Sequence, residues 1–435
     1  MTAAAFLVIL VVLFGLGVYV AVAMGLGSLV LVTIFGDRTV WDIYGFIPWN
    51  TLTSFTLVAL PLFVLMGEVL LRSGAADRMY DALAKWLTGL PGGLLHTNVA
   101  ACAMFACVSG SSAATAATIG RVSLPFMRKY GYSERVAVGS LVSGGTLGIL
   151  IPPSIAFIIY GVLVEESIGH LYLAGMVPGL LMTGLFMLLI FGMTLVRPSI
   201  APTLPACTWR ERLAGLVSLL PIGALMFLVL GTIYTGLATA TEAAAFGVTG
   251  AFVIAAINRR VSRTMLRDVF LATAGTTSMI LFILIGAFVL QFVLAFLGMP
   301  AALTRLVTGM GLGPVELVIA ICVLYLVLGT FMEELSMVVT TIPIFLPLLK
   351  ALHVDLVWFG VIVVILIQAS IVSPPVGMNL FVIQSLRRQL AARGENPAIK
   401  DVFIGVLPFF VAIVATLVLV IAFPSIALWL PSSAK

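Results

Sequence analysis

The stretch Ser143-Gly144-Gly145-Thr146-Leu147-Gly148-Ile149-Leu150-Ile151-Pro152-Pro153-Ser154 sets three glycines and a double proline inside an apolar run. The double proline stands 27 residues after Leu124-Pro125. The same punctuation returns 222 residues later, where Leu346-Pro347 is followed 27 residues on by Pro374-Pro375. Proline lacks the N–H a helix needs, clashes with the preceding turn and disfavours helical backbone in the residue before it. One proline would suit a kink; two prolines with three glycines suit an unwound segment better. Unwound backbone at membrane depth is tolerated only where protein or a water-filled cavity satisfies it. Paired breaks at corresponding places in two halves point to an internally repeated membrane transporter with its site at the breaks.

Composition places the chain in a bilayer. Hydrophobic residues make up 62% of the 435 and charged residues 9%, with a mean hydropathy of +1.24. Soluble domains run at about a quarter charged. Apolar runs of about 20 residues recur along the whole length, as a helix needs to cross the hydrocarbon. They lack the apolar–polar alternation of barrel strands. The expected class is an all-α polytopic membrane protein with no soluble domain, and the net charge of +5 is read as cytoplasmic loops with no role in nucleic-acid binding. Cys102, Cys107, Cys207 and Cys322 have no CxxC spacing and read as unpaired packing residues. His96, His170 and His353 are too far apart in sequence for a metal cluster or a catalytic triad. The opening MTAAAFLVILVVLF has no basic leader and reads as a first span.

Loop charges set the topology. Eighteen of the 22 Lys and Arg fall in five clusters, around residues 72–85, 121–135, 197–212, 259–267 and 387–400. The positive-inside rule puts these in the cytoplasm. Residues 3–35 then read as two short spans, relieved at Gly15, Gly17, Gly25 and Gly27. Further crossings are expected at 51–71, 135–164 (broken), 171–196, 213–233, 241–257, 271–297, 356–386 (broken) and 402–428. Residues 92–127 begin and end beside basic loops and read as a re-entrant hairpin from the cytoplasm; residues 315–349 read as its counterpart from outside. About ten transmembrane helices, two re-entrant hairpins, oppositely oriented halves and two outside termini follow. The segments are 1–91 (scaffold spans and a cytoplasmic amphipathic arm), 92–170 (first hairpin and broken span), 171–297 (scaffold), 298–386 (second hairpin and broken span) and 387–435 (loop and last span).

Oxygen ligands gather at the interruptions. The first hairpin turns in Ser109-Gly110-Ser111-Ser112-Ala113-Ala114-Thr115, where small residues allow close helix packing and hydroxyls and freed carbonyls offer hard ligands for Na⁺. The second turns in Gly329-Thr330-Phe331-Met332-Glu333-Glu334-Leu335-Ser336. A carboxylate there either coordinates a cation or is solvated. Ser373 and Asn379 could supply side-chain oxygens beside the second double proline, and the helix starting near Ser154 would present free N–H groups to an anion. Thr239-Ala240-Thr241-Glu242 reads as a structural helix cap. Arg121 either attracts an anion or snorkels to lipid headgroups, and snorkelling is the expectation.

The runs SGSSAATAATIG (from Ser109), GILIPPSIAFIIYG (from Gly148), SIGHLYLAGMVPGLL (from Ser167) and SMVVTTIPIFLPLL (from Ser336) resemble the large membrane subunit of tripartite ATP-independent periplasmic (TRAP) transporters. LPLFVLMGEVLLRSG (from Leu60) and TATEAAAFG (from Thr239) fit it too, so the likeness covers nearly the whole chain. Ala240 replaces a usual proline, and Glu333-Glu334 stands where an acid followed by serine is frequent. The resemblance implies an elevator-type, ion-transporter-like fold in the bacterial inner membrane, with no enzyme activity and no organic cofactor. It implies Na⁺-driven uptake of an organic anion, a C4-dicarboxylate or sialic acid type of carboxylate. A periplasmic substrate-binding protein would deliver the anion, and a small four-helix membrane subunit would brace the scaffold. By position, one sodium would use Ser109, Ser111, Ser112 and Thr115 with Gly144, Gly145 and Thr146. The other would use Met332, Glu333 and Ser336 with Ser373, Gly377 and Asn379. Substrate would lie between the tips, near Ser112, Pro152, Pro153, Ser154, Glu334, Ser373, Pro374 and Asn379. A stand-alone sodium/dicarboxylate symporter is the alternative; a membrane-embedded enzyme would need paired catalytic groups that only Glu333-Glu334 could supply.

Overall fold

A computed structural model describes residues 2–36, 41, 44–202, 204, 207–311, 313–330, 332–374, 377–391 and 396–433. Among the described residues every regular element is a helix. The first half runs α1 (Thr2–Gly15), α2 (Val20–Phe35), α3 (Phe46–Leu52), α4 (Ala59–Arg72), α5 (Ala75–Leu87), α6 (Leu94–Ser109), α7 (Ser112–Lys129), α8 (Glu134–Leu150), α9 (Ile155–Val164) and α10 (Ile168–Val196). The second runs α11 (Trp209–Tyr234), α12 (Ala240–Ile257), α13 (Arg263–Phe296), α14 (Met299–Gly309), α15 (Pro314–Leu328), α16 (Glu334–Ala351), α17 (Leu356–Val372), α18 (Met378–Gln389), α19 (Ile399–Ala422) and α20 (Ser425–Ser433).

The 222-residue offset reappears in the helix bounds. Adding it to α7 gives the limits of α16, and adding it to α8 gives those of α17, residue for residue. The same shift takes α2 onto α12, α4 into α13 and the amphipathic α5 onto α14. Packing follows the correspondence: α2 lies on α13 of the other half, while its counterpart α12 lies on α4.

Eight helices among the described residues are long and apolar enough to cross a membrane. Seven are expected crossings, and the eighth is α16, the exit arm of the second hairpin. The first two spans fall short: α1 and α2 hold 14 and 16 residues, about 21 and 24 Å at 1.5 Å per residue. The second broken span divides into α17 and α18. The last expected span ends early, at Ala422, because Phe423 precedes Pro424 and leaves helical geometry.

The prolines act in two ways. Pro152-Pro153 ends α8, as expected, with Ile151 in extended backbone. Pro125 and Pro347 instead sit inside α7 and α16, which run on for another turn. The three glycines also behave differently from expectation: α8 passes through Gly144, Gly145 and Gly148 without unwinding. They serve close approach. A Cβ at Gly145 would stand 2.7 Å from the Ala116 Cβ, and one at Gly144 3.1 Å from the Cys102 Sγ.

Two packing groups result. The first joins α2, α4, α5 and α11–α13. The second gathers α6–α10 and α15–α20 around α8 and α17, which are buried nearly end to end and hydrophobic on every face, as core helices are. Helix α10 packs on α8, α17 and α19.

Candidate functional site

The hairpin turns and both breaks meet at one cavity of about 190 Å³. Its wall takes Ser111 and Ala113 from the start of α7, Ile155 from the start of α9, Glu333 and Glu334 from the start of α16, and Met378 from the start of α18. The other group contributes Glu68 of α4 and Thr276 of α13. Four helix N-termini thus face one small space. Each carries N–H groups without an intrahelical partner and roughly half a positive charge.

Two of these termini are capped by their own side chains. Ser154 Oγ accepts from the Phe157 N–H (3.4 Å) while donating to the Ile149 carbonyl (2.6 Å). Glu333 Oε2 accepts from the N–H groups of Leu335 and Ser336 and from the Ser336 hydroxyl, at 3.1–3.2 Å. The other two, α7 and α18, have no side-chain cap, which leaves their N–H groups open to an anion. They are tied together across the halves: Asn379 Nδ2 donates to Ser112 Oγ (2.6 Å) and to the Val142 carbonyl (3.3 Å). Asn379, expected beside the second tip, belongs to the first.

At the first tip three neutral oxygens draw together. Ser109 Oγ and Thr115 Oγ1 lie 2.6 Å apart, and Thr115 Oγ1 donates to the Ser111 carbonyl (2.8 Å). Gly148 closes over them, its place for a Cβ being 2.8 Å from the Ser111 oxygen and 3.0 Å from Thr115 Oγ1. Neutral hydroxyl and carbonyl oxygens suit a hard monovalent cation. The partner from α8 is Gly148, two residues beyond the expected Gly144–Thr146. Thr146 turns elsewhere, its hydroxyl to the Ser143 carbonyl (2.7 Å).

The second tip is less concentrated. Ser336 joins Glu333, Met332 is partly buried, and Glu334 is partly buried at the cavity wall. Ser373 turns its hydroxyl to the Pro374 carbonyl (3.3 Å), and Gly377 sits where a Cβ would be 2.7 and 2.9 Å from the Ile371 and Ser373 carbonyls. Pro152, Pro153 and Ser154 are buried at the first break. Pro375 lies outside the described residues.

Three contacts went unread in the sequence. Gln368 Nε2 donates to the Thr146 carbonyl (2.9 Å), and these positions are 222 apart. A lone amide in the apolar run of α17 was the available signal. Glu68 pairs with Arg72 on α4, an i,i+4 spacing visible in sequence. Arg387, 1% exposed, pairs with Glu134 (3.0 Å). The capping box at Thr239 and Glu242 is present as expected.

The family model of the tripartite ATP-independent periplasmic transporter, DctM component, matches residues 7–426. The chain belongs to this family. Among TRAP relatives, it is 34% identical to the C4-dicarboxylate TRAP transporter large permease protein of Pseudomonas aeruginosa, over 88% of each chain. It is 32% identical to the sialic acid TRAP transporter large permease protein of Vibrio cholerae, over 87% of this chain and 86% of that one. Its fold resembles the crystal structure of the Alcanivorax borkumensis YdaH transporter, with a TM-score of 0.59 at 14% identity over 88% of this chain and 90% of the other. A TRAP large permease is a multi-pass membrane transporter subunit, not an enzyme.

Proposed function

We propose that this TRAP permease moves an organic carboxylate into the cell in symport with Na⁺, carrying the anion between the uncapped starts of α7 and α18. The observation that carries the reading is the convergence of four helix N-termini on one cavity, an arrangement whose partial positive charges favour a carboxylate. The oxygens of Ser109, Ser111 and Thr115 offer the first sodium its ligands; Glu333 and Glu334 supply negative charge for the second, with the Ser336 hydroxyl beside Glu333. The halves act as an inverted repeat, and the group around α8 and α17 slides as an elevator body past the group around α4 and α13. A periplasmic binding protein delivers the substrate, a small four-helix subunit braces the scaffold, and both termini face the periplasm of the inner membrane. Substrates of the C4-dicarboxylate or sialic acid class, named for the relatives, fit the anionic character.

Proteoliposomes holding this chain and the small subunit should take up substrate only with the binding protein present and with Na⁺ directed inward. Uptake by the chain alone would favour the stand-alone symporter, and uptake indifferent to Na⁺ would remove the coupling. Thr115→Val removes a hydroxyl that both donates and accepts at the first tip. Hydrogen-bonded or ligand contacts to a charged group are worth about 1.5–3 kcal/mol, so the half-saturating Na⁺ concentration should rise about tenfold. An unchanged sodium curve would remove this cluster from the coupling site.

A further inference from the structure

A second, wider groove of about 660 Å³ adjoins the site cavity, and Glu333 and Met378 line both. From there it follows α7 and α18 past Arg121, Ser385 and Gln389. Those ends of the two helices carry Arg128, Lys129, Arg387 and Arg388, the basic residues that mark the cytoplasmic side. Arg121 is exposed, and it is the one basic side chain among the described residues lining the groove. It stands nine residues beyond Ser112, about 14 Å along α7.

The charges around it leave Arg121 free to act on a passing anion. Glu333, the acidic residue of the groove, is committed to three donors at the start of α16. Arg128 is held by Glu134 (3.0 Å) and by the Leu390 carbonyl (2.8 Å), and Arg387 by Glu134 (3.0 Å). Ser385 and Gln389 are neutral hydrogen-bonding groups along the same wall. A guanidinium presents a planar fork matched to a carboxylate.

We propose that Arg121 makes this groove an anion-collecting aqueous vestibule on the cytoplasmic side, through which the carboxylate leaves the site between the tips. The proposal rests on the transport reading for its direction, but the electrostatics of the groove can be measured without any uptake. Ser385→Cys, in a Cys207→Ser background because the other native cysteines are buried, places a reporter in the groove. Its labelling from the cytoplasmic face of inside-out vesicles is followed with a sulfonate-bearing and a trimethylammonium-bearing methanethiosulfonate reagent.

Relative to the same two reagents on a free thiol in solution, the anionic reagent should be favoured over the cationic one. Arg121→Gln should lower that ratio about tenfold, the size of a charge effect at partly aqueous range, and Arg121→Lys should keep most of it. A structural role for Arg121 would change both rates alike. A ratio untouched by Arg121→Gln would overturn the proposal, as would a cysteine at this position that water-borne reagents cannot reach from the cytoplasmic face, which is what snorkelling into lipid predicts. Failure of sodium-driven uptake with a normal labelling ratio would instead count against the transport reading alone.

Discussion

Replacing Gly139 by valine is expected to abolish accumulation of folded protein. Helices α8 and α19 touch backbone to backbone here: a Cβ at Gly139 would overlap the Gly405 carbonyl, and one at Gly405 the Arg135 carbonyl. The ring of Phe409 stands 3.2 Å from the same point. Overpacking against side chains costs about 1–3 kcal/mol. Here the obstacle is main chain, which cannot change rotamer, so the two helices must separate along a buried seam of the second group. A loss above about 3 kcal/mol is a large part of the roughly 5–15 kcal/mol that holds a folded protein together. Gly184→Val on α10, where nothing lies within 4 Å, is the matched control and should behave like the parent. Size-exclusion profiles and thermal midpoints of the solubilised protein decide the matter; a monodisperse Gly139→Val protein melting with the parent would refute the close contact.

Gly139 also shows where sequence reading stops. Glycine serves unwinding and close approach equally well, and the choice is made by what lies opposite. For Gly145 that is Ala116 and for Gly144 it is Cys102, both on α6 and α7, which fold back onto α8. The sequence alone suggested unwinding at all three glycines of the first break, whereas the double proline by itself does the breaking. Features set by local chemistry were legible: the end of α8 at Pro152-Pro153, the Thr239–Glu242 cap, and the turn at Gly110, which ends α6 in left-handed backbone (φ 59°). The 222-residue offset in helix bounds was legible too, because its punctuation is carried by residue types with strong backbone preferences. Asn379 was not. Its placement on Ser112, 267 residues away in sequence, depends on how α18 crosses α7, and no spacing rule within one half gives that crossing. The grouping of the candidate residues around the two tips therefore had to come from tertiary geometry.

The ion cluster where α7 and α18 end and α8 and α19 begin yields the second large expected effect, with an unusual order of severity. Arg387 is 1% exposed; its Nε donates to Glu134 Oε1 (3.0 Å), and its Nη1 to Gln384 Oε1 (2.9 Å) and the Ala398 carbonyl (3.1 Å). Asp401 lies 3.9 Å from Nη2 but is engaged at 2.6 Å by Arg135. Glu134 is 39% exposed and also holds Arg128 at 3.0 Å. Deleting the carboxylate leaves a buried guanidinium with neutral acceptors and one distant acid, and breaking such a pair from one side costs about 3 kcal/mol. Deleting the cation leaves a carboxylate that keeps Arg128 and reaches water, and an apolar chain of similar length fills the space. Glu134→Ala should therefore lower the thermal midpoint far more than Arg387→Met, although it removes the more exposed partner. The loss should persist at 1 M salt, because the Arg387 end of the pair is shielded from solvent ions. Equal destabilisation by the two substitutions, or a loss that salt erases, would mean that the cluster is an ordinary surface network and that Arg387 gains nothing from its burial between the two halves.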